Sequence, residues 1–245
     1  MKEPASTVEL RRFGNLGSED TQDIDGIEIV MRTKKELKIQ ICDAFKERLS
    51  AEGFKFRKWD DSFLRKEDDD ITFLITLYYS TYPDCYGLDI IYGIHFERLI
   101  SIERELSGRE KPMRLVTGKF SQMIVPDKLR ELGRNDFYTY DSEEEFNRKV
   151  DLIVEGIHKY GIPYLNMLSE KECTLQQMEK EGLYTYPQLL PLAYLLWCKD
   201  KKRCLDAAKD VLNFYAQYGT DTNEQYNDYY SFYERLKQFA EEYQE

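Results

Sequence analysis

The sequence predicts an α+β fold: an antiparallel β-meander covered by an N-terminal helix and followed by a C-terminal helical bundle. Three observations carry that expectation. Apolar residues first recur at helical spacing, at Leu37, Ile41, Ala44, Phe45 and Leu49. The period then drops to two, with Ile71, Phe73, Ile75, Leu77 and Tyr79 on one face of a strand and Leu88, Ile90, Tyr92, Ile94 and Phe96 on one face of another. Helical spacing returns after Ser142 and runs to the C-terminus. Strands joined by short connections, with helices before and after, pack as an antiparallel sheet under helices.

Taken in order, residues 1–32 read as a polar tail. Three basic residues face seven acidic ones over 1–30, a net of -4. Ile27, Ile29 and Val30 suggest a short edge strand there. Thr33 and Glu36 form a capping box that starts the first helix, and Gly53 suits its C-terminal turn. Phe54 and Phe56 alternate with Lys55 and Arg57. Lys66 to Asp70 reads as a hairpin turn, and Tyr82 to Gly87 as a second loop. Beyond the second long strand, Glu97 to Leu106 has a helical pattern and Val116 to Val125 an extended one. Pro126 then opens a short helix, and Phe137 to Tyr140 forms a short strand. Ser142 and Glu145 form a second capping box that starts a long helix, which Gly161 and Pro163 should end or kink. Leu190 to Trp197, Ala207 to Tyr215 and a last helix from about Asp221 follow. In that last helix Tyr229, Phe232, Leu236, Phe239 and Tyr243 form the core-facing stripe. The expected organisation is thus a tail (1–32), an α+β domain (33–180) and a helical subdomain packed on it (181–245).

Composition narrows the function classes. A net charge of -11 over 245 residues repels phosphate backbones, which argues against a nucleic-acid partner and leaves a basic protein partner or a small molecule compatible. No run is apolar and long enough to span a bilayer, and the N-terminus lacks the apolar core of a signal peptide, so the cytoplasm is the expected location. Cys42, Cys85, Cys173, Cys198 and Cys204 are odd in number and form no CxxC, which reads as free thiols.

Three short segments resemble a family of bacterial domains catalogued as domain of unknown function 4304. They are Gly53-Phe54-Lys55-Phe56 after a helix, Ile91-Tyr92-Gly93-Ile94-His95-Phe96 at a strand end, and Tyr160-Gly161-Ile162-Pro163-Tyr164-Leu165 late in a long helix. The resemblance covers about 33–180. It implies an α+β fold and supplies no catalytic residues.

The sequence contains no nucleophile elbow, phosphate-binding Gly loop or zinc-ligand spacing, so no cofactor and no metal is expected. His95 and Asp89 share a strand face, which reads either as an acid–base pair or as the polar side of a half-buried strand. Asp60, Asp61 and Asp68 to Asp70 read as turn residues. Tyrosine is the more unusual feature, at 19 residues. Tyr78, Tyr79, Tyr82 and Tyr86 cluster near one loop, with Tyr78, Tyr82 and Tyr86 as the candidate binding residues, and Tyr226, Tyr230 and Tyr233 flank the stripe of the last helix beside Glu234. Residues 221–245 carry seven acidic and two basic residues, a net of -5. Tyrosine with carboxylates suits an interface with a basic protein. The reading is a protein-binding module, specifically an immunity-type protein neutralising a basic toxin. The alternatives are an enzyme of unfamiliar type using carboxylates and His95, or an adaptor binding through its C-terminal helices.

Overall fold

The capping box at Thr33 forms as its spacing requires. Thr33 Oγ1 accepts from the Glu36 N–H, and the Glu36 carboxylate accepts from the Thr33 N–H at 2.8 Å. The helix it starts, α1 (Lys34–Ser50), belongs to a computed structural model that describes residues 23–24, 27–28, 32–108, 135–181, 187–218 and 223–243. Leu37, Ile41, Phe45 and Leu49 lie on its fully buried face. Gly53 then reverses the chain at φ 81°, a conformation that disfavours any side chain.

Five strands follow in one antiparallel sheet, ordered as they occur in the chain: β3 (Lys55–Arg57), β4 (Ser62–Lys66), β5 (Ile71–Thr81), β6 (Cys85–Phe96) and β7 (Asn135–Tyr138). Asp68 makes the expected turn between β4 and β5, its Oδ1 accepting from the N–H groups of Asp70 and Ile71 at 2.7 Å each. The strand β4 escaped the periodicity reading because Phe63 and Leu64 are adjacent and flanked by charges. In the tail, β1 (Asp23–Ile24) and β2 (Ile27–Glu28) pair with each other, so Ile27 joins a small hairpin and not the main sheet.

Helix α2 (Glu97–Ser107) leaves β6 directly, as expected. The expected extension over Val116 to Val125 and the helix at Pro126 lie outside the described residues. Beyond β7, α3 (Glu143–Gly156) starts on half of the expected capping box, with Ser142 Oγ accepting from the Glu145 N–H while the Glu145 carboxylate turns to Arg148, and runs into a π-turn (Ile157–Gly161) and then α4 (Ile162–Ser169). Gly161 and Pro163 were expected to end or kink the helix; it does not end there, and the irregularity takes the form of the π-turn. The wider turn takes up the break in hydrogen bonding that Pro163 imposes, and the chain continues as helix. The remaining helices are α5 (Lys171–Glu181), α6 (Leu189–Cys198), α7 (Lys201–Tyr218) and α8 (Asn223–Glu242).

One face of the sheet carries the core. Phe73, Ile75, Leu77, Tyr92 and Phe96 pack with α1, α3 and α4 in a hydrophobic cluster. The same cluster includes Leu189 to Leu196 of α6 and Tyr229, Phe232 and Leu236 of α8. Phe96 meets Trp197 edge-on at 4.8 Å between ring centres. The expected subdomain of 181–245 therefore shares its core with the sheet region. Among the described residues no helix is long and apolar enough to cross a membrane.

Candidate protein-interaction surface

Strand register decides which of the expected tyrosines meet. β5 and β6 pair from Ile71–Phe96 to Thr81–Tyr86. Side chains alternate along each strand, so Tyr79 and Tyr86 share the helix-covered face while Tyr78 points the other way. Tyr79 and Tyr86 meet edge-on at 5.5 Å, with Lys38 over the first ring and Lys34 over the second. The expected cluster of Tyr78, Tyr82 and Tyr86 is therefore split between two faces.

What the outer face holds instead is a strip of tyrosines and aspartates. Tyr78 pairs with Asp89, Ser80 with Gly87, and Gly87 in turn with Asp136. Cys85 pairs with Tyr138. Tyr82 of the connecting turn lies against Gly87: a Cβ there would sit 3.3 Å from the Tyr82 ring and 3.0 Å from Asp136 Oδ1. Tyr140 stacks on Tyr138 at 5.0 Å and 27°. Tyr78 is 50% exposed and Tyr140 45%. Asp136 Oδ1 is enclosed without a hydrogen-bond partner. Among the described residues no ion pair reaches Asp84, Asp89 or Asp136. The Asp136 carboxylate raises the Tyr138 phenol above its ordinary value; desolvation, then Asp84, does the same to Tyr140. Both rings are therefore neutral at physiological pH. Tyr138, Tyr140 and Asp136 were passed over as site residues because only pairing with β6 places them beside Tyr82.

The last helix presents a second such edge. Tyr229, Phe232 and Leu236 are buried as the stripe requires, and the Tyr229 hydroxyl donates to the Pro187 carbonyl at 2.7 Å. Tyr226 and Tyr230 stack at 6.1 Å and 22°, with Tyr230 44% exposed. Tyr233 is half-buried under Lys237, which also reaches Glu234 at 3.3 Å.

The geometry separates His95 from Asp89. Both face outward, yet six residues of strand put them roughly 20 Å apart at about 3.3 Å per residue. Direct proton exchange between them is impossible. His95 Nδ1 lies 3.5 Å from Glu97 Oε1, and its Nε2 is enclosed without a partner. Burial lowers the His95 pKa from the ordinary imidazole value; Glu97 and Asp70 pull it up, and Arg57 pushes it down. The folded ring is therefore more reluctant to take a proton than the unfolded one. Its contribution to stability is complete above the unfolded value of about 6.5 and is lost as pH falls through it towards the folded value. The urea midpoint should fall between pH 7.5 and 5.5, and His95→Gln should flatten that part of the profile. An unchanged slope in the variant would assign the loss to other groups.

A last cluster joins α1 to the sheet. Lys38 pairs with Asp61 at 2.8 Å, and the Cys42 thiol lies 3.3 Å from the Tyr79 hydroxyl and 3.8 Å from Asp61. Asp61 holds φ 52° in the β3–β4 turn. Burial pushes both the Cys42 thiol and the Tyr79 phenol up, so the sulfur stays protonated and is a poor nucleophile. Among the described residues no three His, Cys, Asp or Glu side chains gather as a metal site. Comparison with family models, with curated proteins and with solved structures finds no match to this chain.

Proposed function

We propose that this chain is a protein-binding module for a basic partner, of the kind an immunity protein presents to a basic toxin. The observation that carries the reading is the Tyr226–Tyr230 stack on α8, which leaves large ring area exposed within an acidic stretch, 221–245, of net charge -5. Stacked rings are pre-organised, so little side-chain freedom remains to be lost on contact. The surrounding carboxylates steer a cationic partner and speed association. An adaptor role through the C-terminal helices would use the same edge. The enzyme alternative loses its best pair, since His95 and Asp89 are too far apart to cooperate. The likeness to the 4304-type domains supports the α+β layout of this proposal and no more.

Affinity capture from source lysate, followed by mass spectrometry and purification of the captured protein, tests the reading. A basic protein should be recovered. Tyr226→Ala with Tyr230→Ala should weaken its binding about tenfold or more, the range of interface tyrosines, while the melting temperature holds. Added salt should slow association more than it speeds dissociation. Recovery of acidic proteins alone, or undiminished binding by the double variant, would sink the α8 assignment.

A further inference from the structure

We infer that the tyrosine edge of α8 docks a basic amphipathic helix of the partner. This rests on the reading of the chain as a binder of basic proteins through α8, and it names the element that the edge receives.

Two rows of side chains run along α8. The first is Tyr229, Phe232, Leu236 and Ala240, all buried, and it anchors the helix to the core. The second is Tyr226, Tyr230, Tyr233 and Lys237, which step by four, three and four residues. At 3.6 residues per turn this second row keeps within a sector roughly 60° wide beside the first. Tyr226 and Tyr230 stack at 6.1 Å and 22°, and Lys237 lies over Tyr233 at 5.5 Å. Tyr230 is exposed, while Tyr226 and Tyr233 are half-buried. A helix that only closes a core needs one apolar row. α8 carries a second row of ring surface, partly open to solvent.

Spacing decides between a helix and a strand as the occupant. The second row climbs eleven residues in three steps. That is about 16 Å in all and about 5.5 Å per step. A partner helix repeats its apolar seam every 3.5 residues on average, about 5.3 Å, and stays in step within roughly 1 Å over the row. An extended segment presents same-face side chains roughly 6.7 Å apart and slips by roughly 3–4 Å, over half a step.

Charge sets the partner's polar face. Residues 221–245 hold seven acidic and two basic residues, a net of -5. A second copy of this chain would bring that charge against itself, which like-charge repulsion opposes. Next around the helix from Tyr230 and Lys237 come Glu234 and Glu241, both exposed. They stand where paired helices carry their flanking charges, so a lysine or arginine of the partner meets them there. Lys237 shows within the chain how a cation fits this edge: its ammonium lies over the Tyr233 ring and reaches Glu234 at 3.3 Å. The partner's apolar side chains fill the spaces between the rings, and the stems of its basic residues cover the ring margins.

The test uses the full chain and three short fluorescein-labelled peptides, read by fluorescence anisotropy at two salt concentrations. The first is a leucine–lysine helix with leucine at the seam positions. The second has the same composition shuffled to destroy the period, and the third replaces lysine by glutamate. The leucine–lysine helix should bind about tenfold tighter than the shuffled peptide, an advantage of the size that packed interface tyrosines supply, and the glutamate helix not measurably. Tyr226→Ala with Tyr230→Ala should remove that advantage. Tyr230→Glu, at an exposed position, serves if the pair fails to fold. It adds a carboxylate and removes a ring, so seam binding should fall where binding by charge alone would rise. A rise in that variant, or no binding of the leucine–lysine helix to the parent, would overturn the inference; the reading itself then stands or falls on the captured protein. Equal binding of the periodic and shuffled lysine peptides would overturn the helix and leave the basic-binder reading standing. A glutamate helix that binds as tightly as the lysine one would overturn both. A dimer in sedimentation velocity that Tyr230→Glu breaks would show that the edge takes a second copy instead.

Discussion

Gly161→Ala should lower stability by about 3 kcal/mol, the upper range for forcing extra volume into a packed interior. In a chain of this size that is a fall of roughly 10 °C in melting temperature. The direction is not obvious from the backbone. Gly161 sits at helical φ of -68°, where alanine is favoured over glycine by about 1 kcal/mol. Packing reverses the sign. A Cβ at this position would lie 2.2 Å from Tyr92 Cε1 and 2.7 Å from its hydroxyl oxygen. The ring has nowhere to retreat, because Tyr92 is 1% exposed within the cluster beneath α4. Tyr92→Leu should recover much of the loss in the double variant, since the two side chains compete for one space. Tyr92→Phe alone should cost nothing or stabilise slightly, because the hydroxyl is enclosed without a hydrogen-bond partner. Thermal melts of the four proteins decide the matter. A Gly161→Ala protein that melts with the parent would show that the π-turn shifts to make room.

The same residue shows how far sequence reasoning reaches. Glycine and proline within three positions signal an end or a kink of the helix. The helix does not end: a π-turn carries it past the proline, and the tertiary contact that sequence does not reveal is the Tyr92 ring, which needs the glycine. Gly53 is the contrasting case. Its role follows from chain reversal after α1, a local event, and its positive φ is what the sequence signals. Both glycines have a packing or turn reason for being there. Elements with strong local signals were legible throughout, from the two capping residues Thr33 and Ser142 to the alternation of β5 and β6.

The candidate surface was less legible, for a physical reason. Alternation along one strand says which residues share a face, and it correctly separates Tyr78 from Tyr79. It says nothing of which neighbouring strand lies alongside. Tyr138 and Asp136 are some fifty residues from Tyr82 in sequence and become its neighbours through β7 pairing at Cys85 and Gly87. Proximity in sequence also misled where His95 and Asp89 were concerned, because an extended strand carries same-face residues apart quickly. On α8 the helical period did better. It placed Tyr229, Phe232 and Leu236 inside and Tyr230 outside from spacing alone.

Lys149→Met should be the most damaging single change near the strip, at about 3–5 kcal/mol, because it strands a buried carboxylate. Lys149 and Asp141 side chains are 12% and 6% exposed. The ammonium donates to both Asp141 oxygens, at 2.9 and 2.8 Å, and to the Asp136 carbonyl at 2.9 Å. Asp141 Oδ2 also accepts from the Tyr138 N–H at 2.8 Å, and Arg32 donates to the Asp141 carbonyl at 2.6 Å. One carboxylate thus ties the end of β7 to the start of α3. With the lysine gone, Asp141 keeps a single backbone donor and loses its countercharge in a site nearly closed to water. The pair is not for that reason a net source of stability, since burying both ions carries its own desolvation cost. Lys149→Met with Asp141→Leu should therefore regain most of the loss, short of about 1 kcal/mol for the Tyr138 N–H left without its acceptor. Urea unfolding of the two single variants and the double variant measures this directly. If Lys149→Met unfolds at the parent midpoint, water reaches Asp141 and the pair is not buried in solution.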